Sequence, residues 1–354
     1  MEENKDFLED DWQEEEDEQE ENEAYIRYEV RIDKKQEALR IDKFLMQRIE
    51  GATRNKIQQG IENGAVLVNG EQVKSNYKIR PLDHIIVYDI KSVDYSIIHP
   101  EKMNLEIIYE DEEILLINKP AGLVVHPGSG NPNNTLVNGV AYYLFGEELP
   151  EDLKLDRIGL VHRIDKDTSG LILLAKTENA LKELVKQFKA RTVERKYLAL
   201  VWGNVEEDSG SIEVNIGRNL RHRKLMDVFP EADYGKYAKT YYETLERLQY
   251  VSLLSFQLET GRTHQIRVHA KYMGHTLFGD TTYGGDKILK GTIYSKYKQF
   301  VDNNFKILKR QALHALELSF NHPSTGEKMH FNAPIPEDMT TVIDNWREYT
   351  KVYK

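Results

Sequence analysis

The chain has 354 residues, of which 40% are hydrophobic and 30% charged; it contains no cysteine and carries a formal charge of −11. Without cysteine there can be no disulfide, no thiolate nucleophile and no cysteine-ligated zinc or iron–sulfur centre. No apolar run nears the roughly 20 residues that span a bilayer, and the acidic N-terminus lacks the pattern of a signal peptide, so a cytoplasmic globular protein of two domains plus extras is expected. The acidity is localised: residues 1–24 hold 14 acidic side chains against Lys5, and the remainder nets +2. So few apolar residues cannot offset the entropy of ordering, and a disordered tail is expected over 1–24.

A strand over Tyr25–Ile32 opens the first domain. Asp42 is positioned to cap a helix to about Ile49 and Thr53 a second to Asn63, with Gly64 as a left-handed stop. Ala65–Val73 reads as two short strands about the Asn69-Gly70 turn, and Pro81–Ile90 closes the unit. Tyr25–Lys91 contains 13 Lys or Arg against 9 Asp or Glu. The order of elements, RIDKFL then TRNKIQQGIENGAVLVNG, resembles the small RNA-binding module named after ribosomal protein S-four. The resemblance implies phosphate contacts from Lys43, Arg54 and Lys56, which supply affinity but little sequence choice. A small α/β subdomain with ordinary surface lysines is the plain alternative.

Residues 92–102 read as a linker, and 103–354 as the main domain. Leu105–Tyr109 and Ile114–Asn118 are apolar strands leading into KPAGLVVHPG, where Pro120 and Gly122 make a sharp turn and Lys119 is a candidate to face a phosphate or a reacting pocket. Thr135 caps a helix to about Phe145. The stretch Val161–Thr177, VHRIDKDTSGLILLAKT, then sets chemistry beside scaffold. If His162–Asp165 is extended, Arg163 and Asp165 share one face while His162 and Ile164 take the other. A carboxylate next to the apolar runs Leu160-Val161 and Leu171–Leu174 needs a partner to stay ionised, although a surface ion pair is the ordinary meaning of Arg-x-Asp.

Thr177 caps a helix over Glu178–Lys189, Lys196–Val201 is a strand holding Tyr197, and Arg218–Tyr234 is expected to be an irregular loop. Two long antiparallel strands follow, Ala238–Arg247 and Tyr250–Glu259. Thr263 is placed to cap a helix to about Met273, which leaves Arg262 at a strand-to-helix turn that favours anions. His264, His269 and His275 are not spaced to stack on one helical face, so no metal site is expected. Ala312–Phe320 and Lys328–Asn332 form a hairpin, and Pro336 starts a terminal helix.

HRIDKDTSGLILLAK resembles the central motif of the RluA-type pseudouridine synthases nearly residue for residue. KPAGLVVHPG matches their first motif, in the form of the large-subunit rRNA (RluD-like) branch; KYLALV matches their strand tyrosine and GRTHQIRVH their third motif. GHTLFGDTTYGG continues the likeness, with Thr276 where the family commonly has Pro. The resemblance spans roughly residues 25–345. It implies an α+β fold with a mixed, largely antiparallel sheet, flanking helices and a central cleft, preceded by the S-four-like domain.

The implied reaction detaches uracil from ribose at nitrogen 1 and rejoins it through carbon 5, with no cofactor and no metal. In it Asp165 is the catalytic carboxylate, Arg262 its ion partner, and Tyr197 the ring stacked on the base. Arg163 fills the vacancy of a flipped-out base or meets a flanking phosphate, and Ile266 gives an apolar floor. The expected partner is RNA, above all large-subunit rRNA, with no membrane and a monomeric enzyme. Two rivals stand beside this: a noncatalytic RNA-binding or ribosome-assembly protein on the same fold, and a hydrolase using Asp165 with His162, which would need an activated water or a second carboxylate such as Asp167 and would release free uracil or cleaved RNA. The tail could act as a polyanion competing with RNA. Deleting residues 1–24 should then tighten nonspecific RNA binding at low salt, and unchanged affinity across a salt series would remove the idea.

Overall fold

The computed structural model describes residues 24–49, 52–62, 64–90, 98–128, 131–146, 158–222, 225–291 and 294–352, without the side chains at 24, 25, 56, 59, 62, 89 and 90. Residues 1–23 of the expected tail, most of the expected linker and the Lys56 side chain therefore fall outside the description, and the backbone of residue 24, placed in the tail, begins a strand instead. The chain divides into two compact units, over Glu20–Asp94 and Tyr95–Lys354.

The smaller unit runs β1 (Ala24–Arg31), α1 (Ile41–Met46), α2 (Arg54–Glu62), β2 (Val66–Val68), β3 (Glu71–Gln72) and β4 (His84–Ile90). Its antiparallel sheet has the order β1-β4-β2-β3. The β2–β3 turn has positive φ at Asn69 (54°) and Gly70 (87°), the conformation that Asn-Gly hairpins adopt to match strand twist. Helix α1 starts before Asp42, which is therefore an interior residue and not the expected cap. Its fully buried carboxylate accepts hydrogen bonds from Arg40 at 3.0 and 2.8 Å and from Gln58 at 3.1 Å. Burial alone would raise its pKa, but the bonds from Arg40, Gln58 and the Lys43 amide outweigh it and bring it to about 2.

The larger unit continues with β5 (Ile107–Glu110), β6 (Ile114–Lys119), α3 (Leu136–Phe145), β7 (Ser169–Ala175), α4 (Glu178–Lys189), β8 (Glu194–Trp202), β9 (Ser209–Glu213), β10 (Asn215–Arg218), β11 (Met226–Phe229), β12 (Lys239–Leu248), β13 (Val251–Leu258), α5 (Gln265–Tyr272), α6 (Ser295–Ile307), β14 (Leu313–Asn321), β15 (Lys328–Asn332) and α7 (Glu337–Val352). Among the described residues one nine-stranded sheet has the order β5-β6-β7-β14-β8-β13-β12-β9, with β15 on β14. The β7–β14 pairing is parallel and its other pairings are antiparallel, giving the mixed, largely antiparallel α+β fold. Thr177 caps α4 as expected, its hydroxyl accepting from Ala180 N at 3.2 Å, and Thr135 precedes α3 with its amide donating to Asn138.

Strands β9 and β10, on which the sequence reading was silent, and two further elements depart from that reading. Part of the expected loop Arg218–Tyr234 is strand β11, which pairs with β10 in a separate ribbon. Helix α6 was not anticipated: its preceding Tyr294 makes no side-chain cap bond, and only Tyr297, Val301 and Asn304 are buried on it, a stripe too thin to register against a polar background.

Strand β7 positions the site. All seven of its residues are buried, so the strand is held on both faces, and its first residue, Ser169, comes four positions after Asp165. Leu171 and Leu173 pack with α4, while Ile172 and Leu174 pack with α3, α5 and Tyr197. At Gly170, φ is 114° and a Cβ would run into the Ala315 carbonyl, so only glycine lets β7 and β14 approach this closely. The cleft opens where the chain enters β7.

Candidate active site

Asp165 sits in a tight turn, closed by Thr168 N donating to the Asp165 carbonyl at 3.0 Å. The turn is gripped from several directions. The Lys166 carbonyl accepts from Gly122 N (2.9 Å) and from Lys119 Nζ (2.9 Å), the Asp167 carbonyl from Arg310 Nη1 (3.2 Å) and the Thr168 hydroxyl from Gln311 Nε2 (3.3 Å). Arg310 is itself aimed by a two-pronged pair with Asp338 on α7, at 2.8 and 3.0 Å. Such a fork fixes both the position and the plane of a guanidinium.

Lys119 does not face a phosphate or the pocket opening. It is fully buried, and its ammonium donates to the carbonyls of Pro120, Leu123 and Lys166 at 2.9, 2.8 and 2.9 Å. Burial lowers its pKa to about 7, against the pull of Asp165 and Asp167. Three carbonyl partners can be met together only by the three hydrogens of the charged form, so Lys119 is a staple between the KPAG turn and the Asp165 turn.

The cleft above this turn encloses about 480 Å³, and its lining includes Arg163, Asp165, Tyr197, Arg262, Ile266 and Arg267. Five of these were singled out from the sequence and the fold brings them to one place. The sixth, Arg267, takes the role expected of Arg262: its Nη1 meets Asp165 Oδ2 at 3.0 Å. On its other side Arg267 donates from Nε and Nη2 to the fully buried Asp280 at 2.8 and 2.9 Å. Asp280 also accepts from the amides of Thr282 and Tyr283, and the Tyr283 ring lies 5.1 Å from the guanidinium. A buried carboxylate thus aims a buried arginine at a second, partly exposed carboxylate.

The misassignment of Arg262 has a local cause. Helix α5 begins one residue later than expected, with His264, not Thr263, as its N-cap, in the left-handed conformation at φ 54°. Arg262 is left on the turn at the cleft rim, its Nε donating to the Tyr237 carbonyl at 3.2 Å, while Arg267 lies in the first turn of the helix. Helical side chains lean towards the N-terminus, which carries Arg267 back over the site. Gln265 locks the turn, accepting from Arg262 N and Thr260 Oγ1 and donating to Thr240 Oγ1.

Burial works to raise the pKa of Asp165, but His264, Arg267 and Arg163 outweigh it and hold the carboxyl below its ordinary value. His264 is itself pushed down by burial, so near neutral pH the two arginines supply the effect. Tyr197 is buried, and burial raises its phenol above the ordinary value, with Arg195 opposing and Asp165 adding to the shift; the ring is neutral at physiological pH. Arg163 is half-buried with Nη2 3.4 Å from Thr263 Oγ1, and Ile266 is buried against the core.

His162 turns away from any acid–base role. Its Nε2 accepts from Leu173 N at 3.0 Å, and its ring stacks on Phe188 at 5.1 Å. Burial, reinforced by Arg195, pushes it to about 3, so His162 is no acid–base partner for the hydrolase reading. His264, His269 and His275 bond to Tyr283, Thr240 and the Trp202 carbonyl respectively. In the smaller unit Lys43 is exposed, and Arg54 is half exposed with Nη2 3.5 Å from Asp42.

Residues 113–272 match the RNA pseudouridylate synthase family and residues 39–85 the S4 domain. An uncharacterized RNA pseudouridine synthase of Chlorobaculum parvum is 46% identical over 89% of this chain and 96% of its own length. A second, YlyB of Bacillus subtilis, is 43% identical over 90% of this chain and 98% of its own length. The ribosomal large subunit pseudouridine synthase D of Vibrio parahaemolyticus is 37% identical over 89% and 93%. Among solved structures, human RNA pseudouridylate synthase domain containing 4 covers 68% of this chain and 93% of its own with a TM-score of 0.52 at 24% identity, a likeness of fold. With these relatives and the motifs gathered about one cleft, the chain belongs to the RluA-type RNA pseudouridine synthases, isomerases acting on RNA, with an S4 domain in its smaller unit.

Proposed function

We propose that this enzyme converts uridines of large-subunit ribosomal RNA to pseudouridine, with Asp165 as the catalytic carboxylate and the target base flipped out of its stack. The observation that carries the assignment of Asp165 is the Asp280–Arg267–Asp165 chain, which keeps a carboxylate ionised at the floor of a cleft while leaving its side chain 22% exposed to a substrate. The likeness to relatives named large-subunit synthases supports the choice of RNA.

The isomerisation breaks the bond from ribose carbon 1′ to nitrogen 1 and makes one from carbon 1′ to carbon 5, whose hydrogen leaves as a proton while nitrogen 1 takes one up. Ionised Asp165 acts at carbon 1′, by attack or by assisting elimination. Tyr197 stacks on the detached base and, as a neutral phenol, holds no negative charge that would repel it. Ile266 excludes water from one side, which protects the intermediate from hydrolysis. Arg163 fills the vacancy left by the flipped base or meets a flanking phosphate, and Arg262 at the rim contacts the backbone. Residues 25–91 serve as a separate RNA-holding domain in which Lys43, Arg54 and Lys56 meet phosphates, followed by a linker over 92–102 and the catalytic domain over 103–354.

The test is release of tritium from carbon 5 of labelled uridine in large-subunit rRNA transcripts and intact subunits, comparing wild type with Asp165→Asn. Release by the wild type alone supports the reading; release by neither, with tight RNA binding, removes it.

The grip on the Asp165 turn has its own consequence. Asp338→Asn weakens the fork that aims Arg310 at the Asp167 carbonyl, although Asp338 lies outside the cleft. Small displacements of a reacting group are steeply penalised, so the single-turnover rate is expected to fall about tenfold with RNA affinity unchanged. An unaltered rate would show that Lys119 and Gly122 suffice to hold the turn.

A further inference from the structure

Beside the cleft, two exposed tyrosines, Tyr237 and Tyr241, flank Lys239 where the chain enters β12. Side chains at 237, 239 and 241 share one side of an extended chain, and the intervening Ala238 and Thr240 are fully buried. Tyr237 and Tyr241 are 37% and 40% exposed. The Arg191 guanidinium lies 5.4 Å from the centre of the Tyr237 ring and the Lys239 ammonium 5.3 Å from that of Tyr241.

Both rings are tethered at their hydroxyl ends. Tyr241 donates to Glu259 Oε2 at 3.0 Å, and Tyr237 is hydrogen-bonded to Glu213. The same carboxylates hold the two cations, Glu259 with Arg191 at 2.7 Å and Glu213 with Lys239 at 2.9 Å. The group is continuous with the cleft: Arg191, Glu259 and Arg262 line the cavity, and Arg262 Nε bonds to the Tyr237 carbonyl.

This chemistry is suited to bases more than to phosphates. Arg191 and Lys239 each have a carboxylate partner, so the pairs add little net positive charge to draw a backbone. What is left is two ordered aromatic rings with a stacked guanidinium, the surface on which unpaired bases stack. Bases inside a continuous helix have no free face to offer. We propose that Tyr237 and Tyr241 form a stacking platform for unpaired nucleotides flanking the target uridine, so that the substrate is a loop or junction and not an unbroken helix. The proposal rests on the synthase reading and deepens it by naming the substrate's local structure.

The test uses the full chain with Tyr237→Leu/Tyr241→Leu and with Tyr237→Phe/Tyr241→Phe, which keeps the rings and removes the tethers. Binding is measured to a short fluorescein-labelled oligouridylate and to a blunt RNA duplex, each across a salt series. The leucine pair is expected to weaken oligouridylate binding roughly tenfold or more at every salt concentration, as loss of base stacking does, with the salt slope and duplex binding unchanged; the phenylalanine pair retains most of the affinity. Wild-type affinity in the leucine pair, or an equal loss on the duplex, would overturn the platform. Tritium release by the wild type is scored separately, so a failure of the synthase reading is not confused with a failure of the platform.

Discussion

Asp165→Asn is expected to lower tritium release at least about a thousandfold while leaving RNA affinity within a few-fold, because the amide keeps the shape and loses the charge needed at carbon 1′. The pH profile of the wild type tests the same assignment. Asp165 has a folded pKa below its ordinary value, so its charged form, and the stability it contributes, is present above the unfolded pKa and lost as pH falls through the folded one. The rate should therefore hold level on the acid side down to about pH 5, with any limb from Asp165 lying below its ordinary pKa of about 3.9. A limb for this residue near neutral pH, or substantial release by the asparagine variant, would sink the assignment.

Arg267→Met is expected to damage stability and rate together, and the two effects can be separated. Removing the arginine leaves the fully buried Asp280 with an uncompensated charge, which costs about 3–5 kcal/mol and is read from the urea midpoint. It also leaves Asp165 exposed to the effect of burial, so its acid limb should move up in pH and the rate should fall about a hundredfold or more, in the range seen when one preorganised electrostatic group is removed. Replacing Asp280 with Leu in the same protein removes the orphaned charge and should restore much of the stability. The rate should stay low. A double variant that regains the rate would mean that Arg267 matters only as scaffold.

What could be read along the chain was read from contiguous residues. The hairpin at Asn69-Gly70 and the cap at Thr177 each depend on a few neighbours, and both stand where the local chemistry puts them. Alternation over His162–Asp165 put Arg163 and Asp165 on one face and His162 and Ile164 on the other, and in the structure the first pair is partly exposed while the second is buried. The helix α6 was missed because its start carries no cap and its buried stripe is narrow, and the strand β11 was hidden by the polar composition around it.

The motifs and their family, and with them Asp165, Tyr197 and Arg262 as candidates, were legible in the order of the residues. Which arginine meets Asp165 was not. An α-helix advances about 100° per residue, so a start displaced by one position at His264 turns a different side chain towards the site, and no local pattern distinguishes the two. The same holds for partners far apart in the chain: Lys119 with the Lys166 carbonyl, Arg310 with that of Asp167, His162 against Phe188, and Asp280 behind Arg267. Each of these depends on which faces the sheet presses together, and that is decided by burying the whole core and satisfying its trapped polar groups, a condition that only the folded chain imposes.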